Sequence, residues 1–90
     1  DSPLIHGQYI LYFGALQPWQ GLDVLLKSLR YLQDKKELRL VICASHNEHQ
    51  CKPYRKLAEK LGVHQYIDWY YQLDKDALAN VIKHALLSIA

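Results

Sequence analysis

Ninety residues, half of them hydrophobic, make one compact domain and not two, with enough apolar material for a core that needs no disulfide or metal. Eleven basic residues against nine acidic ones leave a formal charge of +2, too small an excess for a nucleic-acid or anionic-membrane surface. The two cysteines, Cys43 and Cys51, set up no disulfide framework and fit a reducing, cytoplasmic setting, and no apolar run approaches the ~20 residues that cross a bilayer.

In chain order, Tyr9 to Leu16 (YILYFGAL) is continuously apolar, the pattern of a strand buried on both faces. Leu22, Leu25, Leu26 and Leu29 then recur at helical spacing. Leu38 to Ala44 (LRLVICA) is a second buried strand. Tyr54, Leu57, Ala58 and Leu61 mark a second helix, opened near Pro53 and stopped at Gly62. Tyr66 to Tyr71 (YIDWYY) is aromatic but carries Asp68, which suits a strand at a sheet edge. Leu78, Val81, Ile82 and Ala85 define a third helix with Asp74 as its N-cap, and Leu86 to Ala90 begins a fourth strand. The chain starts without methionine and stops within an apolar run, so residues 1–90 read as one partial domain of a larger two-domain protein.

This βαβαβαβ alternation implies an α/β fold, a three-layer α/β/α arrangement around a parallel sheet. Right-handed crossovers favour the Rossmann-like strand order 3-2-1-4, with the flavodoxin-like order 2-1-3-4 as the competing topology. In the favoured order, ligands bind at the carboxyl ends of the strands beside the point where strand order reverses. That rule singles out Gly14 and the loops after Ala44 and Tyr71.

Motif spacing narrows the ligand. A dinucleotide fingerprint needs G-x-G-x-x-G, whereas Gly14 and Gly21 are separated by six residues; a P-loop needs G-K-[ST], whereas this helix starts Gly21-Leu22. The segment Gly14-Ala15-Leu16-Gln17-Pro18-Trp19-Gln20-Gly21 instead resembles the G-R-L-x-P-x-K-G turn of the carboxy-terminal, donor-binding domain of the GT-B glycosyltransferases, family 4 (group 1). The resemblance continues through LVICAS, YRKLAEKLGV, YIDWYY and DKDALANVIKHA, nearly the whole chain.

The resemblance implies a nucleotide-sugar-binding domain of a hexosyltransferase that moves a sugar from a nucleoside diphosphate to an acceptor hydroxyl with no bound metal. It implies donor contacts at Gly14, Ala15, Gln20, Gly21, Ser45, His46 and Tyr71. Catalytic groups lie in an amino-terminal acceptor domain and in an E-x7-E segment after the fourth strand, so residues 1–90 alone are expected to be inactive. A location in the cytoplasm, or at the inner membrane face, goes with it. Ala15 and Gln20 depart from the family pattern, since arginine and lysine commonly hold the diphosphate there. Each missing charge-assisted hydrogen bond is worth roughly 1.5–3 kcal/mol, leaving backbone amides at the helix start to carry the anion.

Plainer readings stand beside these. Gly14 relieves crowding at a strand-to-helix turn, Trp19 packs on that turn, and Trp69, Tyr70 and Tyr71 divide between core and edge. Cys43, His46, His49 and Cys51 lack a usual zinc spacing. A non-catalytic α/β module for protein–protein interaction or small-ligand binding is the rival function, with an unpaired fourth strand as its dimer edge.

Overall fold

A computed structural model describes residues 2–14, 26, 27, 29, 38–45 and 47–89. Strands β1 (Gln8–Gly14), β2 (Leu38–Ala44), β3 (Ile67–Tyr71) and β4 (Leu87–Ile89) form one sheet in the order β3-β2-β1-β4. All three pairings are parallel, with Gln8↔Leu38 through Gly14↔Ala44, Leu40↔Ile67 through Ala44↔Tyr71, and Ile10↔Leu87 through Tyr12↔Ile89. The order is the Rossmann-like one, and the flavodoxin-like alternative is excluded.

Parallel strands need crossovers, and these go to both faces of the sheet. On the first face, Ile10 and Tyr12 of β1 and Leu40, Ile42 and Ala44 of β2 pack with Leu26 and Leu29 and with helix α1 (Lys52–Leu61). Of the leucine-rich helix expected after β1, only residues 26, 27 and 29 are described; all three are helical, and both leucines are buried. On the opposite face Tyr9, Leu11, Val41 and Cys43 pack against helix α2 (Lys75–His84) through Leu78, Val81 and Ile82. Alternate residues of β1 and β2 thus serve different cores, which is why both strands read as mostly apolar runs.

The helix signals are used as their chemistry dictates. Pro53 sits in the first turn of α1, and Gly62 ends it in the left-handed region at φ 73°. Asp74 caps α2, its Oδ1 accepting from the Ala77 amide at 2.7 Å. The buried Tyr9 hydroxyl donates to the Val81 carbonyl at 2.6 Å, satisfying an oxygen in the last turn of α2.

The aromatic strand is at the sheet edge, as Asp68 suggests. That carboxylate receives two hydrogen bonds from Arg39 of β2, at 2.7 and 2.9 Å, a bidentate pair. The expected strand shortens by one residue, because Tyr66 belongs to a 3-10 turn at His64–Tyr66. At the other edge, Leu86 and Leu87 are 64% and 55% exposed. No helix among the described residues is long and apolar enough to cross a membrane.

Candidate functional site

The helices divide between the faces in a way that locates the crevice. Leu26, Leu29 and α1 lie on one face, α2 on the other, so the connections switch sides as the chain passes from β3 back to β4 beside β1. The carboxyl end of β1 is Gly14, at this switch point.

Gly14 has φ +117°, a conformation that L side chains rarely adopt. A Cβ built there would meet no described atom within 4 Å. Among the described residues nothing crowds that position; the backbone conformation is what favours glycine there. Two hydrogen bonds continue the β-ladder beyond the strand ends: Ser45 donates its amide to the Gly14 carbonyl at 3.1 Å, and Gln72 donates its amide to the Ala44 carbonyl at 2.8 Å. Gln72 has φ 53°, in the left-handed region and without the excuse of being glycine. The three strand ends lie in a row defined by the register Gly14↔Ala44↔Tyr71, with left-handed backbone at Gly14 and at Gln72.

A hollow of about 110 Å³ opens at these ends. Gly14, Ala44, Ser45 and Gln72 supply its polar backbone rim, and Phe13, Cys43, Leu73 and Leu78 its apolar part. That space accommodates a few waters or a small group rather than a whole nucleotide. A larger hollow of about 420 Å³ lies along α1 and is lined by Glu48, His49, Lys52, Arg55, Lys56 and Glu59. No strand residue lines it, and five of its six residues are charged, so the smaller hollow marks the candidate site despite its size.

Of the expected donor contacts, Gly14, Ser45 and Tyr71 are described; Ala15, Gln20, Gly21 and His46, and with them Trp19, lie outside the described residues. Gly14 and Ser45 come together at the hollow. Tyr71 does not join them there. Its ring packs on the first face, among the residues around α1, and its Oη accepts a hydrogen bond from Arg55 at 3.3 Å. The same Arg55 nitrogen meets Glu48 Oε1 at 2.8 Å. Burial pushes the Tyr71 phenol up, opposed by the neighbouring Arg55 cation.

Gln72 is the site residue that residue-by-residue reading of the sequence misses. Its position one beyond an aromatic strand was legible; its left-handed backbone was not, because glutamine carries no signal for it. Asp74-Lys75-Asp76 has the Asp-x-Asp spacing of paired metal-binding carboxylates. Asp74 is engaged as a helix cap and Asp76 lies in the first turn, where acidic residues complement the helix dipole. Cys43 and Cys51 are both buried, on opposite faces of the sheet, so the Cys/His cluster cannot close on one ion. Desolvation pushes the Cys43 thiol up to about 11, the reverse of what a nucleophile or metal ligand requires.

A parallel sheet in the order β3-β2-β1-β4, with helices on both faces, is a Rossmann-like α/β fold. Residues 6–90 match the family model of the glycosyl transferases group 1, and the chain belongs to that family. It is 35% identical over 68 residues to a D-inositol 3-phosphate glycosyltransferase of Corynebacterium glutamicum (strain R). The match covers 70% of this chain and 16% of that relative's length.

Proposed function

We propose that this domain binds the nucleoside-diphosphate sugar donor of a GT-B, family 4 transferase that moves a hexose-type sugar to an acceptor hydroxyl. The observation that carries the reading is Gly14, held at φ +117° at the end of β1 beside the reversal in strand order, in a chain of the glycosyl transferases group 1. A side-chain-free residue there lets an anionic group approach the backbone, and amides at a helix start attract negative charge without a local cation.

The diphosphate lies over the Gly14–Gly21 turn, with Gly14, Ala15, Gln20 and Gly21 around it. Ser45 and His46 border the middle of the donor, and Tyr71 stands toward the base. No metal takes part in this reading. An acceptor-binding amino-terminal domain supplies the remaining groups, so the 90-residue chain alone binds donor without turning it over. The setting is the cytoplasm, consistent with two free cysteines.

The test is calorimetric titration of the chain with UDP, GDP and ADP. One of the three binds, Gly14→Val abolishes that binding, and Gln20→Lys tightens it by restoring a cation to the turn. Unchanged affinity in Gly14→Val removes the diphosphate from this turn. The second reading, a non-catalytic docking module, is favoured by the edge strand β4, with Leu86 and Leu87 more than half exposed. It predicts no nucleotide binding and a concentration-dependent dimer in sedimentation.

A further inference from the structure

The larger hollow, about 420 Å³ along α1, shares no lining residue with the one at Gly14. Lys52, Arg55 and Lys56 fall at i, i+3 and i+4, so one exposed face of α1 brings three cations into it. Like charges at that spacing repel, and the first turn of α1 holds no acidic residue to answer them. Arg55 has a carboxylate partner, Glu48 Oε1 at 2.8 Å. Lys52 and Lys56 have no partner among the described residues, and Glu59, two turns along from Lys52, pairs with neither.

Backbone amides do not serve this hollow. The Lys52 amide donates to the His49 carbonyl at 3.2 Å, Pro53 has no N–H, and the Tyr54 and Arg55 amides donate to the Cys51 carbonyl at 3.0 and 3.1 Å. The charge presented is therefore that of side chains. Arg55 spends one nitrogen, Nη1, on both Glu48 and Tyr71, which leaves Nε and Nη2 as donors without a partner among the described residues. The loop that carries Glu48 and His49 is itself fixed, since Asn47 and Gln50 exchange two hydrogen bonds between backbone and side chain, at 3.0 and 2.9 Å.

Size and charge together select the ligand. The volume falls in the range of small-molecule sites. Two lysines and the spare side of a guanidinium suit a compact group with several anionic oxygens. A net charge of +2 for the whole chain does not suit a long polyanion.

We propose that the hollow along α1 is a second ligand site, in which Lys52, Lys56 and the unspent donors of Arg55 hold a small, multiply charged oxyanion of the pyrophosphate or phosphorylated-metabolite class, apart from the donor turn.

The experiment is a titration of the chain with inorganic pyrophosphate, followed by amide shifts in NMR so that the hollow is read separately from the Gly14 end. The shifts gather at residues 48–59. Lys52→Gln combined with Lys56→Gln weakens that binding by about tenfold, the worth of two charge-assisted contacts at an exposed site. Lys60→Gln removes the same charge from α1 outside the hollow and changes the affinity by less than about twofold. Glucose 6-phosphate, titrated in parallel, separates the two sources: tighter binding than pyrophosphate supports a phosphorylated metabolite, and weaker binding supports a free polyphosphate. Equal losses in Lys60→Gln and in the double variant reduce the effect to net charge and overturn the site. Shifts confined to the Gly14 end, or none at all, overturn it as well, and the donor reading is untouched by either result.

Discussion

The body of the sheet and its carboxyl end are built from the same strands by different physics. From Tyr9 to Tyr12 and from Leu38 to Cys43 the strands are held by burial: Leu11, Val41 and Ile42 are fully enclosed, and any similar apolar residue would satisfy the pattern. At Gly14, Ser45 and Gln72 burial no longer decides. There the chain is held by two backbone hydrogen bonds and two positive φ angles, and side-chain identity matters for the conformation it permits. The body tolerates chemistry and resists loss of volume, whereas the end tolerates open space and resists a Cβ.

That contrast can be broken from either side. Leu40→Ala, in the body at 1% exposure, should cost about 2–5 kcal/mol in urea denaturation, with nucleotide affinity of the folded fraction unchanged. A loss below 1 kcal/mol would mean that β2 is not packed as described. Gly14→Val should cost less stability, about 1–3 kcal/mol for the disfavoured φ, yet lose more binding than any substitution in the body. Equal effects of these two variants on affinity would erase the distinction between body and end.

The third test works in the opposite direction. Gln72→Gly should raise stability by about 0.5–1 kcal/mol, since the left-handed conformation costs glutamine more than glycine loses in chain entropy. Thermal unfolding would show this as a higher midpoint, and a lower one would remove the claim of strain.

The fourth concerns pH and belongs to the body. Cys43 is pushed from its ordinary value of 9.0 up to about 11, so the folded chain keeps its thiol proton where the unfolded chain releases it. Stability should therefore be full below pH 9 and fall as pH rises toward 11. Cys43→Ala should flatten that slope, and a slope that survives the substitution would assign it to other groups.

Much of this architecture was legible in order of appearance. Leu38–Ala44 was bounded to the residue because its apolar run is interrupted only at Arg39. The helical faces Tyr54, Leu57, Ala58, Leu61 and Leu78, Val81, Ile82, Ala85 are those that pack, since the helical period alone selects them. Gly14 was legible as the end of an apolar strand beside the reversal in strand order, but its positive φ was not. Tyr71 was expected among the donor contacts, and its ring packs on the face away from the Gly14 hollow. Its partnership with Arg55, 16 residues earlier, was not legible, because surface polar contacts carry no periodic signal.

Sequence alone determined the strands, the later helices and their alternation, because periodic hydrophobicity and turn chemistry act over a few residues at a time. Tertiary structure decided which end of the sheet turns under strain, which core each cysteine occupies, and which cation meets the Tyr71 hydroxyl. Those outcomes depend on how segments far apart in the chain are brought side by side, and no local pattern encodes the distance between them.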